Sequence, residues 1–334
     1  MKKNKTKKLI IMSLSLIFCL TTAYSAFQVV ISLKSKGNVI KTPEKCFTVT
    51  ANGDGTGTIT NYDETCGTKV VIPSQINNLK ITKIADAEYD GPSTTYSKSF
   101  TKKRITSLVL PNTIEEIGIA AFDNNEIKTL IIPNSVKKIG DSAFRHNKIK
   151  NLTLPNGYIE LGIGTFNDNS LPEENAFIYQ RNLDGTLDKT VITSYAGVKG
   201  ENINIPQTVK TLNKWSFRSI YNSRLKSITI PDNVEKIEKE AFQWNRFLTK
   251  VEIGNGTKTI EKDAFSYNGD LEEVTIGSGI QTIGDSVFTS CPNLKTITIN
   301  KKENSVTGAP WGSNATINWI GWTYNTVLSV NVLT

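Results

Sequence analysis

The stretch "LIIPNSVKKIGDSAFRHN" at residues 130–147 repeats "LVLPNTIEEIGIAAFDNN" at residues 108–125, twenty-two residues earlier. Both copies keep Pro-Asn, Ile-Gly and Ala-Phe, whereas the charged residues between them change freely. Apolar residues that persist while charges vary are typical of a structural repeat in which one side of each copy is buried. The number of such copies therefore decides the fold class.

The repeat extends through most of the chain. When the copies are aligned on Ala-Phe, seven of the thirteen phenylalanines fall in one slot, at spacings of 22, 22, 51, 25, 23 and 23 residues. A degenerate earlier copy is predicted at "VVIPSQI", residues 70–76, with Pro73 in the proline slot and Tyr89 in the phenylalanine slot. About nine copies are expected in all. The seven phenylalanines are Phe122, Phe144, Phe166, Phe217, Phe242, Phe265 and Phe288.

The recurring residues of one copy each have a physical role. Leu130 and Ile132 alternate with outward residues, which is the period-two pattern of a strand. Pro133 ends the strand, because proline has no N–H to donate to a sheet. Phe144 fills the space between neighbouring copies. Because each copy has a single apolar side, the copies must stack to bury it, and the chain is expected to form a solenoid of 22–25 residue coils.

Asparagine stands three residues after the phenylalanine in most copies. A stacked asparagine satisfies buried backbone groups of the neighbouring coil, which would otherwise lack hydrogen-bond partners. In the last full copy Cys291 takes this slot, and it is interpreted as a buried structural thiol and not as a nucleophile. The asparagines are Asn125, Asn147, Asn169, Asn245 and Asn268.

The consensus "LxxLxIPxxVxxIgxxAFxxN" resembles the leucine-rich repeats of the BspA-like type, which occur in many bacterial surface proteins. The resemblance covers about Val70 to Ile320. It implies a mainly β leucine-rich repeat solenoid and a role in binding host or matrix proteins, without identifying a ligand. "SVTGAPWGSNATINWIG", residues 305–321, resembles the segment that closes such arrays, so Trp311 and Trp319 are expected to cover the end of the core.

The solenoid is expected to carry two hairpins and a cap. "NGDGTG", residues 52–57, is interpreted as the turn of an N-terminal β-hairpin and not as a calcium or phosphate loop. The island "AFIYQRNLDGTLDKTVITSY", residues 176–195, has two strand-like runs and is interpreted as a hairpin extruded from the solenoid. The predicted segments are a signal peptide or transmembrane anchor (1–33), a linker (34–45), the N-terminal hairpin region (46–67), the first repeats (68–170), the inserted hairpin (171–202), the second repeats (203–300), and a C-terminal cap and tail (301–334).

Residues 1–33 carry the signals for export. Five lysines lie within residues 2–8, and an uncharged apolar run follows over residues 9–33. A cleaved signal peptide and a retained transmembrane helix that anchors the chain in the membrane both fit this pattern, and both stay open. In either case the lysines stay inside, and the remainder, including the C-terminus, is expected to be extracellular or at the cell surface.

The basic charge of the chain also belongs to its beginning. Residues 1–45 hold nine lysines against one glutamate, a net charge of +8 that equals the net charge of the whole chain. The remaining 30 basic and 30 acidic residues balance. Overall basicity therefore gives no support to nucleic-acid binding.

Cys46 and Cys66 flank the N-terminal hairpin. In an oxidising compartment they are a possible disulfide, and two reduced thiols are the alternative.

The sequence offers little for catalysis. His146 is the only histidine, so neither a cluster of imidazole metal ligands nor an ordinary histidine triad can be assembled. His146 is interpreted as a surface residue of the turn after Phe144. No catalytic residue, metal site or cofactor is predicted, and the chain is not expected to be an enzyme.

Candidate partner-binding residues lie on the outward side of the first strands. Two columns of outward residues are expected there, in which Val109 and Ile131 place aliphatic groups side by side. Simple strand propensity also explains many of these residues. Tyr179 and Tyr195 of the inserted hairpin form a rival patch. The candidates on the sheet are Ser107, Val109, Thr129, Ile131, Asn151 and Thr153.

Three functions from different classes follow. The favoured one is a non-catalytic extracellular module that binds or adheres to a host, matrix or envelope protein. The alternative is a structural or self-associating protein of the cell envelope, and a glycan-active hydrolase is a remote third.

Overall fold

The computed structural model describes residues 41–89, 96–197, 202–219 and 225–321. The predicted signal or anchor segment, residues 1–33, lies outside this part of the chain, as do residues 322–334 of the predicted tail. No helix among the described residues is both long enough and apolar enough to cross a membrane.

The described residues form a mainly β structure with three short 3-10 helices, Glu44–Cys46, Glu64–Cys66 and Glu173–Asn175. The strands, in chain order, are β1 (Phe47–Ala51), β2 (Thr56–Tyr62), β3 (Lys69–Val71), β4 (Gln75–Ile76), β5 (Leu79–Ile84), β6 (Glu88–Tyr89), β7 (Tyr96–Ser97), β8 (Ser107–Val109), β9 (Glu116–Ile117), β10 (Thr129–Ile131), β11 (Lys138–Ile139), β12 (Asn151–Thr153), β13 (Glu160–Leu161), β14 (Phe177–Arg181), β15 (Leu187–Tyr195), β16 (Thr211–Leu212), β17 (Ser227–Ile230), β18 (Lys236–Ile237), β19 (Lys250–Ile253), β20 (Thr259–Ile260), β21 (Glu273–Ile276), β22 (Thr282–Ile283), β23 (Thr296–Ile299) and β24 (Thr316–Trp319).

Each regular coil contributes one strand to each of two parallel sheets. The longer strands pair in the order β17, β19, β21, β23 and β24, and the two-residue strands pair in the order β16, β18, β20 and β22. The N-terminal coils repeat this arrangement with β10 beside β12 and with β5, β9, β11 and β13 in one sheet. The two sheets enclose the apolar core, which confirms the predicted leucine-rich repeat solenoid.

The repeated phenylalanines form the centre of that core. All seven are fully buried. Neighbouring rings stack with their centroids 4.8–6.0 Å apart, so each ring fills the gap between two coils. The first series of rings is Tyr62, Phe100, Phe122, Phe144 and Phe166, and the second is Tyr195, Phe217, Phe242, Phe265 and Phe288.

The solenoid is longer than predicted, with about eleven turns instead of nine. Phe100 occupies the phenylalanine slot of the early coil, whereas Tyr89, the residue predicted there, is 58 % exposed. Phe100 stands twenty-two residues before Phe122, so the regular spacing of the repeat points to it directly. The prediction of Tyr89 was wrong because the sequence between the early strand and its aromatic residue is longer than in the regular copies.

The inserted island is also part of the solenoid. β14 and β15 pair antiparallel as a hairpin, as predicted, but β15 also pairs in parallel with β16 of the next coil. Tyr195 at the end of β15 is 4 % exposed and stacks on Phe217, which lies twenty-two residues later. The hairpin therefore extends from a complete coil and is not simply extruded from the stack.

The asparagine slot works as predicted. Asn147 donates from Nδ2 to the carbonyls of Phe122 at 2.9 Å and Phe144 at 3.2 Å, and its Oδ1 accepts from the N–H of Ile127 at 3.1 Å. One buried side chain thus satisfies backbone groups of two coils. Cys291 replaces it with a sulfur that lies 3.3 Å from the carbonyl of Phe265, and burial raises the pKa of this thiol to about 11.

Five of the seven turns around the repeated phenylalanines hold two non-glycine residues in the left-handed region. Around Phe144 these are Ser142 at φ 55° and His146 at φ 52°. Such backbone costs roughly 1–2 kcal/mol per residue, and the contacts made by the neighbouring coils must offset this cost. Gly140 meets a related constraint, since a Cβ built there would lie 2.6 Å from the backbone nitrogen of Ile119 in the preceding coil.

Both ends of the core are covered. At the N-terminal end, a disulfide joins Cys46 to Cys66 beside the hairpin of β1 and β2, which confirms the possible pairing. At the other end, Trp311 is 2 % exposed and belongs to the core. The half-buried Trp319 packs against the core, as predicted for the cap.

Replacement of Cys66 by Ser should lower the stability of the folded chain by about 3 kcal/mol, because the bridge closes a loop between residues 20 apart and its loss frees the unfolded chain. Denaturant unfolding with and without reductant measures the effect. Wild type should respond to reductant, and Cys66→Ser should not. An equal response of both proteins would show that the bridge does not stabilise the fold.

Replacement of Asn147 by Ala should cost about 3 kcal/mol, because it removes three buried hydrogen bonds and leaves the N–H of Ile127 without its acceptor, whereas the carbonyls of Phe122 and Phe144 keep bonds from Asn125 and Asn169. Asn293→Ala is the matched control, since Asn293 is exposed and makes a single 2.9 Å bond to the carbonyl of Gly269, and it should change stability by less than about 0.5 kcal/mol. If denaturant unfolding showed that the two variants lose the same stability, the role given to the asparagine slot would be contradicted.

Candidate functional site

The outward side of the longer strands carries the predicted candidate residues in two columns. Ser107, Val109, Thr129 and Ile131 lie on β8 and β10 and are half-buried, whereas Asn151 and Thr153 on β12 are exposed. Asn151 pairs with Thr129, and Thr153 with Ile131, in the parallel register. The sequence interpretation missed Val71 of β3, which pairs with Val109 and extends the aliphatic row toward the N-terminus.

The C-terminal half of the same sheet has a different character. Its outward columns run Thr229, Glu252, Thr275 and Thr298, and beside them Ser227, Lys250, Glu273 and Thr296, in the register that the repeat predicted. Lys250 and Glu252 form an ion pair of 2.7 Å, so the charges partly neutralise one another. This half presents hydroxyl groups and charges, whereas the N-terminal half adds the aliphatic groups of Val109 and Ile131 to its own hydroxyl and amide groups.

The tip of the inserted hairpin carries the most exposed large apolar side chain in the described part of the chain. Leu183 is 84 % exposed, and Leu187 on the same hairpin is 46 % exposed. Gly185 at the tip packs on Gly157, where an added Cβ would lie 2.9 Å from a backbone carbon, and this contact brings the tip close to the exposed Tyr158. These three side chains, Tyr158, Leu183 and Leu187, are called the tip patch below.

Side-chain hydrogen bonds support the turn at the tip. Asp184 accepts hydrogen bonds from the backbone N–H of Thr186 at 2.9 Å and from its hydroxyl at 2.6 Å, and these bonds lower the pKa of Asp184. Asn182 adds a 3.1 Å bond to the Thr186 hydroxyl. Leu183 therefore projects into solvent from a turn that side-chain hydrogen bonds support.

The two tyrosines predicted as the rival patch do not lie at this tip. Tyr179 is half-buried, and its ring centroid is 6.5 Å from that of Phe177. Tyr195 is in the core, and burial raises its pKa to about 12. Sequence reasoning chose the aromatic residues of the island, but the leucine beside Asp-Gly in the turn was the better signal, because a hairpin tip has no core to enter.

Aromatic residues form a second exposed group, on the turns of the later coils. Trp244 and Tyr267 stack with centroids 4.3 Å apart, and Tyr267 is 40 % exposed. In an earlier coil, Trp215 has cations near its ring, with Lys214 Nζ at 4.6 Å and Arg218 Cζ at 4.7 Å from the ring centroid.

The prediction that His146 is a surface residue was wrong, because its side chain is only 8 % exposed. The left-handed backbone at this position turns the imidazole between the coils on either side. Nδ1 lies 3.1 Å from Oδ1 of Asp123, and Nε2 lies 3.1 Å from Oδ2 of Asp168. Arg145 contacts both oxygens of Asp123, at 3.3 and 3.4 Å.

This cluster is electrostatically balanced when the imidazole is protonated. Burial alone would lower the pKa of His146, but the hydrogen bonds to Asp123 and Asp168 outweigh it and raise the pKa above its ordinary value. Burial likewise opposes ionisation of Asp123, but His146 and Arg145 hold the pKa of that carboxyl below its usual range. Two carboxylates then face two cations.

The cluster does not have the geometry of a nucleophilic triad. Ser219 donates to Oδ1 of Asp168 at 2.7 Å, and both imidazole nitrogens face carboxylates. A base must contact the nucleophile whose proton it removes. Nor do the described residues contain any group of three or more histidines, cysteines and acidic residues arranged to hold a metal ion.

Comparison with known proteins identifies the repeat. A family model described as a BspA type leucine rich repeat region matches residues 93–185 and 190–311, with six copies. No curated protein matches the sequence significantly.

Solved structures with a similar chain path include the pneumococcal vaccine antigen PcpA, at 21 % identity over 82 % of this chain and 84 % of that one, with a TM-score of 0.45. A leucine-rich repeat protein from Eubacterium ventriosum has 20 % identity over 85 % of this chain and 95 % of that one, with a TM-score of 0.46. A leucine-rich cell surface protein from Faecalibacterium prausnitzii has 17 % identity over 78 % and 94 % of the two chains, with a TM-score of 0.39.

The different positions of Tyr195 and Leu183 give a direct test of core against surface. Tyr195→Ala should lower stability by about 3 kcal/mol or more, because it removes a buried ring from the stack. Leu183→Ala, at the exposed tip, should change stability by less than about 0.5 kcal/mol. Thermal and denaturant unfolding measure the stability of both variants. If Tyr195→Ala left the stability unchanged, Tyr195 would again be a candidate residue of the binding surface.

Proposed function

The chain belongs to the BspA-type leucine-rich repeat family, and we propose that it is a non-catalytic module that binds a protein partner outside the cell. The observation that carries the proposal is the tip patch, where large apolar side chains are exposed to solvent. Soluble proteins seldom expose neighbouring large apolar groups unless a partner covers them. The partner is a host, matrix or envelope protein with an apolar surface complementary to the leucines.

The arrangement of the solenoid supports this function. Its core residues recur in every coil and stabilise the stack, whereas the residues on the outward columns and on the hairpin differ between coils. Variable residues on a regular scaffold supply a large, pre-organised surface. The aliphatic row of Val71, Val109 and Ile131 is a second contact surface in this proposal, for the same partner or for another part of it.

Export is part of the same proposal. Residues 1–33 direct the chain across the membrane, either as a cleaved signal or as a retained anchor, and the solenoid then lies at the cell surface or in the medium. The disulfide supports an oxidising location. N-terminal sequencing of the exported chain distinguishes the two forms, since cleavage removes the five initial lysines.

The tip patch also favours a second candidate function, in which copies of the chain associate. An exposed apolar surface is buried equally well by a second copy as by another protein. Light scattering over a range of protein concentrations separates these functions. A monomer at every concentration contradicts self-association, whereas oligomers that the double variant Leu183→Ser/Leu187→Ser abolishes would replace the binding proposal.

Capture experiments on matrix and cell-envelope proteins test the binding proposal. The variant Leu183→Ser/Leu187→Ser should weaken binding of the captured partner at least tenfold, which corresponds to about 1.4 kcal/mol and is typical of a contact at the centre of an interface. Val109→Ser/Ile131→Ser tests the aliphatic row in the same assay.

The matched control is Thr275→Ser/Thr298→Ser, which alters the polar half of the sheet by two methyl groups and should leave affinity unchanged. Circular dichroism checks that each variant is folded. If neither Leu183→Ser/Leu187→Ser nor Val109→Ser/Ile131→Ser changes the affinity for any captured protein, the proposed contact surfaces are wrong.

A further inference from the structure

The solenoid core consists of two blocks that meet at the inserted hairpin. The N-terminal block extends from Cys46 to Phe166 and Leu171, and includes Ile178 and Ala196. The C-terminal block begins with Ala176, Ile192 and Tyr195 and continues to the cap. The coil that contains Tyr195 therefore contributes to both blocks, and it is the junction between them.

Polar side chains connect the blocks at this junction. Asn167 of the N-terminal block donates from Nδ2 to the carbonyls of Trp215 at 2.6 Å and Arg218 at 3.2 Å, and its Oδ1 accepts from the Ser194 hydroxyl at 2.6 Å. The next residue, Asp168, accepts from the hydroxyl of Ser219 at 2.7 Å. Asn167, Asp168, Ser194 and Ser219 are all buried.

The buried ionic cluster reaches this junction through Asp168. One carboxylate oxygen of Asp168 faces Ser219 of the C-terminal block, and the other faces His146 of the N-terminal block. The imidazole in turn contacts Asp123, which Arg145 holds from the same side. A continuous chain of polar contacts thus runs from Asp123 through His146 and Asp168 to Ser219.

We propose that His146 is a pH-sensitive latch that couples the two blocks of the solenoid. When protonated, the imidazole donates to Asp123 and Asp168 at once and holds Asp168 in place for Ser219. A neutral imidazole has a single N–H and can donate to only one of them. Asp123 keeps Arg145 and Asp168 keeps Ser219, but loss of the proton removes the link between the two carboxylates, and the junction loosens.

The direction of the pH effect follows from linkage. The pKa of His146 is raised in the folded chain, so its contribution to stability is complete below the ordinary value of 6.5 and is lost as the pH rises through the raised value. The charged groups that face it are Asp123 and Asp168 from the coils on either side and Arg145 from its own turn. Arg104, Glu126 and Lys148 line the groove beside it.

The first experiment uses the full chain and its single histidine. A proton NMR titration of the imidazole needs no assignment, because no other histidine contributes a signal. The pKa of the imidazole should lie above 6.5. Each pKa unit above that value corresponds to a tenfold change in the equilibrium between coupled and uncoupled blocks. Titration at or below 6.5 would overturn the proposal, and this result does not depend on any variant being folded.

The second experiment measures hydrogen exchange at the junction between about pH 5 and about pH 9, after correction for the intrinsic exchange rate. The reporters are the N–H groups of Phe166, bonded to Ser194, and Tyr195, bonded to Ser216, and the reference is Phe265 in the C-terminal block. In wild type, protection of the reporters relative to Phe265 should fall as the pH rises, by tenfold for each unit of the measured pKa displacement.

His146→Gln should remove this pH dependence, because glutamine does not titrate in the range. Ser219→Ala removes the bond by which Asp168 reaches the C-terminal block, so it should also weaken the pH dependence at Tyr195. Ser266→Ala is the matched control, because Ser266 is buried within the C-terminal block, where it accepts from Gln243 at 3.0 Å, and this variant should leave the pH dependence unchanged. An identical pH dependence in wild type and His146→Gln would overturn the latch. This inference is independent of the proposed function, since neither experiment requires a binding partner.

Discussion

Burial of backbone polar groups between coils is the constraint on which this structure depends. Every coil turns sharply after its core phenylalanine, and the carbonyls of that turn face the next coil and not water. In five coils an asparagine three residues later satisfies them, and the sulfur of Cys291 takes this place in another coil. Because this arrangement needs a neighbour on each side, a single coil cannot be stable, and the stacked rings and paired strands follow from the same requirement.

The same requirement explains why polar chemistry appears at the junction. There the regular turn gives way to the inserted hairpin, and side chains of Asn167 and Asp168 make contacts that backbone groups make elsewhere. A charged side chain in this position must be paired, because an isolated buried carboxylate is strongly unfavourable. His146 and Ser219 supply that pairing, so a residue that resembled an ordinary turn residue becomes part of the connection between the two core blocks.

Most of the fold could be predicted from the sequence, and the errors share one cause. The regular copies were recognised because their aromatic residue follows the proline at a constant distance. Phe100 and Tyr195 were missed where that distance changes, although each stands twenty-two residues before the next core ring. The candidate surface was predicted less well, since alternation shows which side a strand residue faces but not how far a hairpin tip such as Leu183 extends into solvent.

The sequence by itself determined the repeating coil, its apolar side, the slots for phenylalanine and asparagine, and the balance of charge outside the N-terminal segment. These features are local or periodic, and a repeated pattern reports them directly. The tertiary structure alone decided that Asp123, His146 and Asp168 meet, that Tyr195 is buried and that Leu183 is not. Those outcomes depend on the stacking of coils and on left-handed turns such as the one at His146, which place residues from successive copies within hydrogen-bond distance.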